Sequence, residues 1–174
     1  EKAIFTGHPR FNLYSSQYEV PEDILKIGRF CLFSSNFSML FPTNPAQLNN
    51  IIRDNQISSK RELALREYIA EHIKRARSVL HMIRHFSNRR TIVYRPHPLE
   101  DVSYATSFFK GSSVIINKNY SIYPWLSSCD ILLHSNCTSA VEAKLMGKKS
   151  VALKPLSLEF SDLPITVSDK LIKP

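Results

Sequence analysis

The chain has only four glycines among 174 residues. None of them builds a G-x-x-x-x-G-K-[ST] or a G-x-G-x-x-G pattern. The phosphate loop of ATP-hydrolysing domains and the usual dinucleotide fingerprint are therefore both missing. A G-x-S-x-G segment is also absent, which removes the strained serine elbow of α/β-hydrolases. Cysteine is scarce. Cys31, Cys129 and Cys137 are odd in number and show no C-x-x-C spacing, which argues against a disulfide framework and against a zinc site, and the expected setting is reduced and cytoplasmic. No run of about eighteen apolar residues occurs, so no membrane-spanning helix is expected. The first residues lack an apolar segment behind basic ones and do not read as a signal peptide.

What is present is a globular composition. Apolar residues make up 43% of the chain, enough for one domain with its own core. The formal net charge is +8. Much of it falls on one stretch, as Arg61, Arg66, Lys74, Arg75, Arg77 and Arg84, followed by Arg89 and Arg90. Four readings of that charge stay open: a solvated helix face, a surface facing the anionic inner membrane, an anionic small substrate, and a nucleic-acid contact. The last ranks lowest because no nucleic-acid-binding signature accompanies the charge, and no nucleic-acid partner is expected. His81 and His85 stand four apart, a metal-ligand spacing, but without an acidic companion motif; no metal is expected there.

Short apolar runs alternate with helical periodicity. Strands are expected near 30–33, 91–94, 113–116, 131–135 and 150–153. Between the first two, Leu65, Ile69, Ile73, Ala76, Leu80 and Ile83 recur every three or four residues and predict a long helix over 60–87, with Ser58 or Ser59 as its cap. Shorter helices are expected near 46–53, 99–109, 122–129 and 138–146, the last ended by Gly147 in a left-handed conformation. Strands that are apolar throughout, alternating with helices, imply an α/β fold: a parallel sheet with helices on both faces. Residues after Pro155 carry too little pattern to place.

Ligands of an open parallel sheet bind beyond the carboxyl ends of its strands. The residues that follow the expected strands are Ser34, Ser35 and Asn36, then Arg95, His97 and Pro98, then 117–120, and finally 134–139. All these stretches are rich in polar, basic or hydroxyl groups, as an anion site requires. In the segment HSNCTSAVEA, a strand ends, a hydroxyl-rich turn follows and a helix begins. Ser135, Thr138 and Ser139 offer hydroxyls beside a helix N-terminus, where free N–H groups favour phosphate. Glu142, one turn in, can accept from a ribose diol. A capping box, with Thr138 or Ser139 as cap and Glu142 bonding back, explains the same spacing. His97 is held between two prolines and can donate to a phosphate or act as an acid near neutral pH; it can also simply close a turn.

Three segments carry a family resemblance: TGHPRFNL (6–13), RPHPLED (95–101) and PWLSSCDILLHSNCTSAVEAKLMGKKSVAL (124–153). They resemble the bacterial surface carbohydrate biosynthesis proteins, GT-B-like enzymes of lipopolysaccharide and capsule assembly. The resemblance implies a Rossmann-like GT-B C-terminal domain at 21–174, preceded by an interdomain hinge at 1–20. In GT-B transferases and related UDP-N-acetylglucosamine epimerases a T-G-N-P-like segment opens that hinge; here His8 replaces the asparagine. A separate N-terminal domain would then be missing from this chain.

The GT-B sialyltransferases and Kdo transferases carry an HP motif and a later Ser/Ser or Ser/Thr pair on the phosphate of a CMP-sugar. The resemblance thus assigns His97, Thr138 and Ser139 to phosphate, and gives Glu142 a role like their ribose-binding carboxylate. Teichoic-acid glycerophosphotransferases also have HP, with a D-Y-S-S segment that is Asn136-Cys137-Thr138-Ser139 here. The implied substrates are a CMP-, CDP- or UDP-linked sugar donor and a glycan or lipid acceptor, with no tightly bound cofactor. His97 is the implied catalytic residue; with Ser35, Asn36, Arg95 and Ser135, read from their place in the loops after the strands, the implied His97, Thr138, Ser139 and Glu142 make up the expected donor-binding set. In these enzymes the general base comes from the other domain. A sugar-nucleotide epimerase of the same architecture and a non-catalytic nucleotide-binding module are the alternative readings.

Overall fold

A computed structural model describes residues 19–38, 40–42, 46–153 and 167–172. The expected hinge segment lies outside them except for its last two residues. The elements run α1 (Glu22–Leu25), β1 (Cys31–Ser34), α2 (Gln47–Asp54), α3 (Ser59–Ser87), β2 (Ile92–Arg95), α4 (Val102–Phe108), β3 (Ile115–Ile116), α5 (Ile122–Ser128), β4 (Ile131–His134), α6 (Ser139–Leu145), β5 (Lys149–Leu153) and β6 (Lys170–Ile172). All six strands are parallel, in the order β3-β2-β1-β4-β5-β6. This is a Rossmann-like α/β arrangement with helices on both faces, as the alternation of apolar runs and helices implied.

The order reverses between β1 and β4, and that reversal fixes where the helices lie. Right-handed crossovers moving one way along the sheet cover one face, and those moving the other way cover the opposite face. On the first face α3 and α4 bury Ala76, Val79, Leu80, Ile83, Ala105 and Phe109 against Phe33, Ile92 and Tyr94. On the second, Ile24 of α1, Trp125 and Leu126 of α5, and Ala140 and Ala143 of α6 pack on Leu32, Val93 and Leu132. The strand side chains alternate between the two cores, as the period-two pleat demands.

Several boundaries differ from expectation for identifiable reasons. The third strand is only Ile115–Ile116, because Ser113 turns away to donate its hydroxyl to the Ser87 carbonyl, at 2.7 Å. Helix α4 starts at Val102 rather than at 99. Asp101 caps it, accepting from the Ser103 N–H at 2.9 Å and from its hydroxyl at 2.7 Å. Ser58 sits at the N-cap of α3 without a side-chain cap bond. The apolar stripe of α3 is buried only from Ala76 onward; Leu65, Ile69 and Ile73 are half-buried, since the sheet ends before the helix does. Strand β6 follows from no pattern in the sequence: Lys170–Ile172 is too short to show one.

The basic face of α3 is largely paired within the fold. Arg66 meets Glu62 at 2.8 Å, and Arg75 and Lys74 meet Glu71 at 3.4 and 3.7 Å. Arg77 donates to the Tyr104 hydroxyl, and Arg84 to the carbonyls of Phe108 and Lys110. His81 lies edge-on to Phe108 and His85 against Phe86. Among the described residues no helix is long and apolar enough to cross a membrane.

Gly147 ends α6 with φ +66°. A Cβ there would meet nothing within 4 Å, so Gly147→Ala isolates the backbone cost of the left-handed conformation. A loss of about 1 kcal/mol in urea unfolding is expected. Unchanged stability would mean that this turn relaxes to an ordinary conformation.

Candidate functional site

The crevice lies where β1 and β4 part company: the chain leaves β1 toward one face and enters β4 from the other. Their carboxyl ends are in register, Ser34 beside Arg95 of β2 on one side and beside His134 on the other. The loops above are stitched together. Asn36 donates its amide to the Asn136 carbonyl at 2.7 Å, and the Ser34 hydroxyl lies 3.5 Å from the Cys137 sulfur.

On the β2 side, a buried cluster holds the loop that carries His97. Glu100 is only 1% exposed. Its carboxylate accepts from the Ser35 hydroxyl at 2.6 Å, from the Tyr94 phenol, and from the His97 N–H at 3.3 Å. Burial, reinforced by the neighbouring Glu100, pushes the Tyr94 phenol far above its usual range, so it remains a donor. Residues 97–100 close as a turn, with the Glu100 N–H on the His97 carbonyl at 2.9 Å. The His97 ring accepts the Leu99 N–H at Nδ1, 3.2 Å away. In the neutral ring the proton then sits on Nε2, which is left as a donor.

Arg95 ends β2 with its side chain half-buried. It donates from Nη2 to the Tyr120 carbonyl at 2.8 Å, which fixes the β3–α5 loop, where Tyr120 has φ +65°. Its Nε is buried without a hydrogen-bond partner. Burial lowers the affinity of this guanidinium for its proton, while Cys137 and Glu142 act in the opposite direction.

On the β4 side, the turn is built on His134, which is fully buried. Its Nδ1 accepts the Cys137 N–H at 3.3 Å, and its Nε2 lies 2.7 Å from the Ser168 hydroxyl. Asn136 takes φ +60°, a conformation asparagine tolerates better than most residues. Thr138 occupies the N-cap of α6 with no side-chain cap bond. The hydroxyl half of the capping-box reading is therefore not formed. Ser139 and Glu142 are 3% and 5% exposed, and the Ser139 hydroxyl has no hydrogen-bond partner.

These groups line one cleft of about 380 Å³, within the roughly 300–1,000 Å³ of small-molecule sites. Ser35, Arg95, His97, Thr138, Ser139 and Glu142 all border it. Asn36 and Ser135 do not; Asn36 instead ties the two loops together. From the third loop the wall is Ser121, Ile122 and Tyr123 rather than 117–120, because the Arg95 bond pins the Tyr120 carbonyl back. Two kinds of residue were missed. Tyr123 sits inside a helix-forming stretch and gives no separate signal. Glu100 could have been found as an acidic residue three positions after His97, the reach needed to bond back to its N–H.

The chain matches no family model, no curated protein and no solved structure.

Proposed function

We propose that this domain binds the donor of a glycosyl transfer, a nucleotide-linked sugar, as the donor-binding half of a GT-B-type glycosyltransferase of surface polysaccharide assembly. One observation carries the reading: two buried donors without partners, Arg95 Nε and the Ser139 hydroxyl, border the same cleft at the sheet's switch point. Buried polar groups are almost always hydrogen-bonded, and an orphan invites a ligand. Both orphans are donors, and His97 adds Nε2–H, so the complement is an anion with several acceptors. A phosphate meets that description.

In this reading His97, Arg95 and Ser139 share the donor phosphate. As the sugar–oxygen bond breaks, negative charge builds on that phosphate, and donors already oriented toward it stabilise the departing group. Glu142, deeper on α6, accepts from the ribose hydroxyls, and Tyr123 and Ile122 supply apolar wall for the base. The CMP-, CDP- and UDP-linked donors share all of this chemistry. The acceptor and the base that activates it belong to a second domain, so the chain alone binds nucleotide and transfers no sugar.

Ser139→Ala is the cleanest test. It deletes a hydroxyl that bonds nothing in the protein, so stability should hold or rise slightly. Calorimetric affinity for CMP, CDP or UDP should fall about tenfold or more, since a hydrogen bond to a charged group is worth roughly 1.5–3 kcal/mol. His97→Ala should weaken binding by a similar factor. Glu142→Gln should weaken it less than Glu142→Ala if the carboxylate serves the ribose. Unchanged affinity in both Ser139→Ala and His97→Ala would remove the phosphate from this cleft.

A further inference from the structure

The topology that opens the cleft also leaves a second hollow, at the other end of the sheet. On the first face, among the described residues, α3 and α4 cover β1, β2 and β3 and share a core with Leu133 and Leu153, but leave part of β4, β5 and β6 only half-buried. Ile131, Val151 and Ile172 consequently form the half-buried floor of a trough of about 410 Å³. Its rim is basic: Arg89 and Arg90, in the turn between α3 and β2, and Lys170 at the start of β6. Unlike Arg66 and Arg75 on α3, Arg89 and Arg90 form no ion pair among the described residues. The nearby Asp130 is already bonded by Arg29, at 3.1 Å.

An apolar floor under unpaired guanidinium groups complements a particular kind of molecule. The floor needs a hydrocarbon body without polar groups, and the rim needs an anion at one end of it. We propose that this trough binds a single-chain anionic lipid, its chain along Ile131, Val151 and Ile172 and its phosphate or carboxylate head between Arg89 and Arg90. The concavity favours one molecule over a flat bilayer surface, and the charge favours an anionic amphiphile over a second copy of this basic chain, whose own net charge of +8 would repel it. The site shares no residue with the cleft, so its success or failure is independent of the nucleotide reading.

The probe is dodecyl phosphate, titrated below its micelle concentration and followed by calorimetry. Dodecyl maltoside supplies the same chain without charge, and inorganic phosphate the charge without chain. Dodecyl phosphate should bind one per chain, at least tenfold tighter than either control. The double variant Arg89→Ala/Arg90→Ala, at two exposed positions, should erase that preference while leaving nucleotide affinity intact. Ile172→Glu should abolish binding, with circular dichroism reporting that the fold persists. His97→Ala should leave lipid binding unchanged. Equal affinity for dodecyl phosphate and dodecyl maltoside would overturn the proposal. So would unchanged binding in the double arginine variant, binding to anionic vesicles but not to the monomer, or a dimer that Ile172→Glu dissociates.

Discussion

Glu100→Ala should cost the protein about 4 kcal/mol of unfolding free energy, because a buried donor left without its acceptor costs roughly 1–3 kcal/mol and this change strands up to three. The Tyr94 phenol, the Ser35 hydroxyl and the His97 N–H all lose the carboxylate that accepts from them. Only one has a ready substitute: Tyr94 and Ser35 lie 3.0 Å apart and can satisfy one proton between them. Water cannot enter easily, since Glu100, Ser35 and Tyr94 are all nearly inaccessible. Glu100→Gln should cost less than the alanine change, because the amide keeps one accepting oxygen and the two hydroxyls can rotate to receive its N–H. Tyr94→Phe should cost roughly 1.5–3 kcal/mol, the value of one hydrogen bond to a charged group. Urea unfolding of the three variants gives the order directly. A loss below about 1 kcal/mol for Glu100→Ala would mean that the loop rearranges without the carboxylate. Nucleotide affinity adds a second reading. If Glu100 positions His97, then Glu100→Gln, still folded, binds nucleotide more weakly than Tyr94→Phe does.

The parts of the fold legible in the sequence were those where a local pattern matches a global constraint. The strand ILLH is a continuous apolar run, the helix that follows repeats its apolar residues every three or four, and the turn residues between them mark the boundary. The position of the candidate site follows from the same boundary, since parallel strands present their carboxyl ends together. What stayed hidden depends on contacts between distant residues. Nothing around Glu100 in the chain signals that Tyr94 and Ser35 will meet it, because Ser35 lies 65 positions away. Ser135 and Asn36 have the right chemistry in the right loops, yet a single rotation of the turn decides which hydroxyls face the cleft. Asn136, in the left-handed region, makes that rotation: it brings Thr138 and Ser139 to the cleft while Ser135 does not border it. The trough has no local signature at all. It arises from strand order, which three-residue β6 completes.

His134 should make the stability of the protein fall between pH 6.5 and 4 by up to about 3 kcal/mol, beyond what its surface carboxylates contribute. Complete burial holds the ring's pKa down to about 4, against an ordinary value of 6.5. The sign follows from linkage. The unfolded chain takes up the proton near pH 6.5 and the folded chain only near pH 4, so acid favours the unfolded state across that window. The full stability is present above pH 6.5 and is lost as the pH falls toward 4; below that both states are protonated and the loss levels off. The structural reason is specific. Nδ1 already accepts the Cys137 N–H, and a proton there would set two donors against each other at 3.3 Å. The ring's other nitrogen is occupied by the Ser168 hydroxyl at 2.7 Å, so the ring cannot flip to escape. His134→Gln keeps a donor and an acceptor in the same place but cannot titrate. Its stability at pH 7 should be lower than that of the unaltered protein, through imperfect fit, and its loss on going to pH 4 smaller by about 3 kcal/mol. Parallel urea titrations at the two pH values measure the difference. Equal losses in both proteins would show that His134 does not titrate in this window. Because the Cys137 N–H belongs to the turn that carries Thr138 and Ser139, nucleotide affinity in the unaltered protein should also decline as His134 takes up its proton, and decline less in His134→Gln.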